Sequence, residues 1–140
     1  MAEQNMRSYE MTEVVSRGLD ECLTEAFAIA TDECDGVFLS VDVDVVDPGM
    51  APGTGTPEPG GMTGRQLLDA VRRIAMQLPV AGIDVVEVAP PYDHAEITAF
   101  LASRVVLEAL SGIAWRRRRA AGDPAKPARD PQAPLLDGRG

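Results

Sequence analysis

The 140 residues are enough for about one ordinary domain, and 13 Lys plus Arg against 22 Asp plus Glu give a net charge of −9. The balance is uneven: seven Arg or Lys against three Asp make residues 115–140 +4, which leaves −13 on residues 1–114. Such an acidic body argues against nucleic acid or an anionic membrane as the main partner and suits a cation, either a metal ion or a cationic organic substrate.

The first ten residues, MAEQNMRSYE, lack a basic n-region followed by an apolar stretch, so no secretory signal is expected. No apolar run approaches the ~20 residues that span a bilayer. From Thr12 to about Asp32, apolar residues at Val15, Leu19, Cys22, Leu23, Ala26, Phe27 and Ala30 recur at helical spacing between acidic ones. One amphipathic helix is expected there. Cys22 and Cys34 are the two cysteines, too few for a disulfide framework and without zinc-ligand spacing, which fits a reducing compartment. The chain is expected to be soluble and cytoplasmic.

After Gly36, the run Val37–Val43 is β-branched and largely apolar, as in a buried strand. Alternation puts Phe38, Ser40, Asp42 and Asp44 on one side and Val37, Leu39, Val41 and Val43 on the other. Residues 47–61 hold five Gly and four Pro in fifteen positions, a long stiffened loop that neither helix nor central strand tolerates. Thr63-Gly64-Arg65-Gln66 has the capping-box pattern and opens a second helix that Pro79 ends. Val80–Val88 reads as a second buried strand. Asp93-His94-Ala95-Glu96 is another capping-box pattern, starting a third helix to about Ser111. Residues 116–140 turn to Arg, Ala, Pro and Gly and read as a disordered tail, leaving 1–115 as the domain.

The order α-β-loop-α-β-α implies an α/β fold with parallel strands. Two such strands leave edges and faces uncovered, so the chain reads as part of a larger sheet. Asp42 and Asp44 fall at the C-terminal end of a strand, where open α/β sheets take ligands. Two carboxylates about 7 Å apart on one strand edge repel unless a cation lies between them, and hard oxygen donors suit Mg²⁺ or Mn²⁺. A solvated strand end and turn, formed by Asp42, Asp44 and Asp47, explains the same residues without a ligand.

The longer strings are more specific. Ser40-Val41-Asp42-Val43-Asp44-Val45-Val46-Asp47-Pro48, then Ala51-Pro52-Gly53-Thr54-Gly55-Thr56-Pro57-Glu58-Pro59-Gly60-Gly61, closely resemble the ureohydrolase family of arginase, agmatinase and guanidinobutyrase. Val85-Val86-Glu87-Val88-Ala89-Pro90-Pro91-Tyr92-Asp93-His94 is similar to the agmatinase or guanidinobutyrase branch, and the resemblance covers roughly residues 6–115. It implies the C-terminal part of a three-layer α/β/α arginase-like fold that cleaves a guanidino compound, such as agmatine or guanidinobutyrate, to urea and an amine. It also implies a homo-oligomer in the full-length family.

By the same resemblance, Asp42 and Asp44 match ligands of a binuclear manganese centre, Asp42 bridging both ions and Asp44 binding one. Glu87 matches the acid that binds the substrate guanidinium, and Thr56 and Glu58 shape the pocket. Asp47 is expected to cap its Asp-Pro turn. His94, the single histidine, matches no family ligand and is assigned to the helix start. Ser40 has no histidine partner for a triad. The family's remaining metal ligands and histidine proton shuttle have no matching motif here, so no residue is assigned as acid or base and the isolated chain is expected to be inactive. Two other readings stand: a pseudo-enzyme or inactive fragment serving as an interaction module, and a D-x-D phosphatase-like domain. The second needs a later lysine, and Lys126 in the tail is the sole one.

Overall fold

The computed structural model describes residues 6–122. In chain order these form α1 (Met11–Arg17), α2 (Leu19–Ala30), β1 (Val37–Asp42), a 3₁₀ turn at Val43–Val45, α3 (Gly64–Gln77), β2 (Val80–Val86), a 3₁₀ turn at Pro90–Tyr92, and α4 (Ile97–Ala120). The two strands pair in parallel, with Leu39 opposite Ile83, Val41 opposite Val85 and Asp42 opposite Val86. The expected parallel α/β order is therefore present, as a two-stranded sheet.

Helices α3 and α4 cover one face of that sheet. Val41, Val46, Ala51, Leu67, Leu68, Val71, Val105 and Ala109 form the core, with Leu39, Ile83, Val85 and Leu101 packed against it. The opposite face is open, correcting the expectation of buried strands: Phe38, Ser40, Asp42 and Asp84 are exposed. Phe38 is 65% exposed, its ring lying over Gly82 on the neighbouring strand. One layer of the expected three is thus lacking among the described residues.

Helix α3 begins as its sequence dictates. Thr63 accepts the Gln66 N–H at 3.1 Å and the Gln66 side chain accepts the Thr63 N–H at 2.8 Å, a capping box that satisfies two orphan donors. The α3–α4 contact is close at Gly112, where a Cβ would sit 2.6 Å from that of Ala75 and 3.0 Å from the Arg72 carbonyl. Gly112→Ala should therefore push the helices apart and cost about 1–3 kcal/mol. Thermal unfolding of the variant measures this, and an unchanged Tm would show that the contact yields freely. Glu108, buried in the same interface, bridges Arg72 (2.5 Å) on α3 and Arg104 (2.7 Å) on its own helix.

Three boundaries differ from expectation. The first helix is two: Gly18 at φ 92° interrupts it, leaving Val14 buried and Val15 exposed. Glycine alone takes that conformation without strain. Strand β2 stops at Val86 because Glu87 is left-handed, with φ 65°. Helix α4 runs to Ala120, so residues 116–120 are not a disordered tail. Arginine is a good helix former, Arg117, Arg118 and Arg119 suit the negative end of the helix dipole, and Arg119 stacks over Trp115 at 5.3 Å. Residues 123–140 lie outside the described residues. By length and composition α4 is also apolar enough to cross a membrane, contrary to the sequence expectation, but it packs on α3 through Ala102, Val105, Glu108, Ala109 and Gly112 as a core helix does.

Candidate active site

Asp42 is the last residue of β1 and leaves the ladder by a local bond: its Oδ1 accepts the Asp44 N–H at 2.9 Å. Such Asx turns compete with strand pairing. Asp44 consequently lies in the 3₁₀ turn rather than on the strand, which corrects the alternating placement of both carboxylates on one strand edge. The turn has a consequence for chemistry. Asp42 remains exposed while Asp44 is half-buried.

The two oxygens of Asp44 differ. Oδ2 accepts a hydrogen bond from the Thr56 hydroxyl. Among the described residues Oδ1 is buried without a hydrogen-bond partner, and so is the hydroxyl of Thr54 in the 47–61 loop. A buried carboxylate oxygen left unpaired is costly unless another group satisfies it, and a hard divalent cation does so well. Asp42 and Asp44 therefore fit one side of a metal centre. No group of three or more His, Cys, Asp or Glu with metal-holding geometry occurs among the described residues, so a complete centre needs donors from elsewhere.

The loop that supplies Thr56 is ordered by Asp47. Its Oδ1 accepts the Gly49 N–H at 2.8 Å and its Oδ2 the Gly60 N–H at 2.9 Å, while Asp47 N–H donates to the Met62 carbonyl at 2.9 Å. The Gly60 and Gly49 donors hold the Asp47 carboxyl below the usual aspartate range. Asp47 thus clamps both ends of the 47–61 loop, extending the capping role expected for it.

Glu87 follows Val86, the register partner of Asp42, so the two acids stand at the C-terminal ends of adjacent parallel strands. A left-handed backbone at a non-glycine residue costs on the order of 1–3 kcal/mol and clusters at functional sites. The carboxylate leans toward the loop: Glu87 Oε2 is 3.9 Å from where a Cβ on Gly55 would be. Asp42, Asp44, Thr56 and Glu87 are thereby gathered at one end of the sheet. Glu58 is not brought in; it is exposed, with no hydrogen bond or ion pair among the described residues.

Asp93 carries a role its sequence pattern only half revealed. The expected capping box with Glu96 does not form, because Ala95 (φ 50°) and Glu96 (φ 59°) are both left-handed and Glu96 makes no cap bond. Instead Asp93 accepts N–H groups from Thr98 at 3.1 Å, Ala99 at 3.0 Å and His94 at 2.9 Å. Desolvation pushes its pKa up, but the Thr98 and Ala99 donors outweigh this and leave it lowered. His94 itself is exposed, its carbonyl accepting the Ile97 N–H at 3.1 Å at the start of α4.

The sign for stability follows. Asp47, Asp93 and Glu108 all have lowered native pKa values; for Glu108, desolvation opposes the shift and Arg104 and Arg72 prevail. Their contribution is present above the unfolded carboxyl range of about 4 and is lost as pH falls through the native values. Tm should hold from neutral pH to about 5 and drop below it, with a shallower drop for Asp93→Asn. A Tm that rises on acidification would contradict these assignments.

Comparison with known proteins gives the same direction. A family model described as Arginase family matches residues 1–112. Formimidoylglutamase of Bacillus subtilis (strain 168) is 39% identical over 109 residues, covering 78% of this chain and 34% of the relative. Agmatinase of the same organism is 51% identical over 78 residues, 55% of this chain and 27% of the relative. The crystal structure of the formimidoylglutamase superposes with a TM-score of 0.77 at 38% identity, covering 81% of this chain and 36% of that one. Arginase from Bacillus caldovelox gives 0.71 at 35% identity, covering 78% and 36%. The chain spans about a third of the length of these relatives. The parallel sheet is thus an incomplete arginase-like fold, and the phosphatase-like alternative is displaced. The chain belongs to the arginase family.

Proposed function

We propose that the chain forms part of an agmatinase-like ureohydrolase that hydrolyses a guanidino compound, agmatine or a guanidinobutyrate-like substrate, to urea and an amine. The observation that carries this reading is the unpartnered, buried Oδ1 of Asp44, on a carboxylate held by Thr56 beside the loop that meets Glu87. Asp42 and Asp44 would hold manganese, which when bound supplies Lewis acidity and lowers the pKa of water. Thr56 fixes the Asp44 carboxylate through one oxygen, and the other would be the one to ligate manganese. Glu87 presents an anionic oxygen pair to the planar guanidinium, a geometry that favours two parallel N–H···O bonds. The setting is a reducing cytoplasm, in keeping with two free cysteines, and the complete enzyme is a homo-oligomer.

Because the donor set is incomplete, a second reading has a specific observation behind it: an interaction module without activity, favoured by the open sheet face. One assay separates the two. The chain is joined to the N-terminal part of Bacillus subtilis agmatinase that it does not cover, loaded with manganese, and tested for urea release from agmatine and guanidinobutyrate. The hybrid should be active and the chain alone inactive. A folded, metal-loaded hybrid that releases no urea from either would favour the interaction module.

A further inference from the structure

The segment after β2, the Pro/Gly-rich loop and the start of α4 meet at one backbone unit, Gly53. Its carbonyl accepts the Ala89 N–H at 2.7 Å, two residues beyond Glu87. Its N–H donates to the Thr98 hydroxyl at 2.7 Å, across 45 residues of sequence. Thr98 is fully buried and its own N–H donates to Asp93. The fit leaves no space: a Cβ on Gly53 would lie 2.5 Å from the Asp93 Cβ and 2.9 Å from its Cα. Three residues on, Thr56 holds Asp44.

We infer that Thr98 and Asp93 form a latch that sets the separation between the Asp44–Thr56 side of the site and Glu87. Both sides hang on Gly53. The loop bearing Thr56 follows it directly, and the segment bearing Glu87 is tied to its carbonyl. A helix cap alone requires only the Asp93 bonds to Thr98 and Ala99; it gives no reason for the Thr98 hydroxyl to reach the loop. Two observations support the tie independently: the Thr98–Gly53 hydrogen bond, and the closeness that only glycine permits.

The latch rests on the proposed function for its consequence but not for its existence, and the test is divided accordingly. In the 140-residue chain, amide hydrogen exchange is followed at Gly53 and Ala89. Thr98→Val should raise exchange at both by roughly 10-fold or more, and Thr98→Ser should restore protection. Gly112→Ala serves as a control that lowers stability without touching the latch. Unchanged exchange at Gly53 and Ala89 in Thr98→Val would overturn the latch. So would a uniform rise across α3 and α4 matching that of Gly112→Ala.

In the hybrid, a loosened latch leaves Glu87 able to pair with the guanidinium but holds its carbon at the wrong distance from the attacking water. Thr98→Val and Gly53→Ala should therefore lower kcat by ~10- to 100-fold with KM little changed and metal content retained. Thr98→Ser should recover kcat, while Gly112→Ala leaves it unaltered. Equal kcat in Thr98→Val and wild type, or a loss that Thr98→Ser does not recover, would overturn the positioning role. A hybrid without any activity counts against the proposed function, and exchange at Gly53 still decides the latch.

Discussion

Glu87→Gln, introduced into the hybrid enzyme, is expected to lower kcat/KM for agmatine by ~30- to 150-fold with manganese content unaltered. The substitution keeps the shape and removes the charge that pairs with a permanently cationic group. A charge-assisted hydrogen bond contributes about 2–3 kcal/mol, which converts to that range. Glu87 leans toward Gly55, whereas the neighbouring Thr56 donates to Asp44, so Glu87 is not the residue that holds the Asp44 carboxylate. Loss should thus appear largely in KM, in contrast to the kcat loss expected for Thr98→Val. Metal lost together with activity would reassign Glu87 to the metal shell, and an unchanged kcat/KM would leave it a strand-end carboxylate in solvent.

A larger effect is expected at Asp42 and Asp44. By family resemblance Asp42 would be a ligand shared by two ions and Asp44 a ligand of one, so Asp42→Asn should lose more activity and more manganese than Asp44→Asn. Thr56→Val should be milder, since it removes only the hydroxyl that orients Asp44; loss of such an outer partner costs ~10- to 100-fold. The ordering Asp42, Asp44, Thr56 is read from metal content and turnover of the three variants. Full activity and full metal in both asparagine variants would exclude the assigned centre.

Much of this arrangement is legible in the residues. The β-branched runs 37–43 and 80–88 specify strands, the Thr63–Gln66 box specifies a helix start, and the Pro/Gly density of 47–61 specifies a loop. The order of these elements then requires parallel pairing. Local backbone conformations were less legible. Gly18 splits one periodic stretch into two helices because a single residue at φ 92° is enough to break it. Asp42 ends its strand by bonding the Asp44 N–H, a side-chain choice that alternation does not register. At residues 93–98 the capping spacing misleads, since two left-handed residues lengthen the approach to α4.

The site divides in the same way. Asp42, Asp44 and Glu87 sit in long ordered strings whose spacing is specific, so the family resemblance singles them out as candidates. Thr98 has no local signal, because its partner Gly53 is 45 residues away and is engaged through backbone. The strand count signals uncovered sheet, but the β-branched runs read as buried strands; the exposure of Phe38 follows from the shortage of covering layers among the described residues.

The most direct measurement is urea release and bound manganese, after identical manganese loading, in the hybrid of this chain with the N-terminal part of Bacillus subtilis agmatinase, for wild type, Asp44→Asn and Glu87→Gln. The proposed function predicts urea from agmatine or guanidinobutyrate in the wild-type hybrid, with none from the 140-residue chain alone. It also predicts losses in both variants, with manganese lost in Asp44→Asn alone. Urea release by the isolated chain, or a folded and metal-loaded hybrid whose activity neither variant lowers, would contradict it.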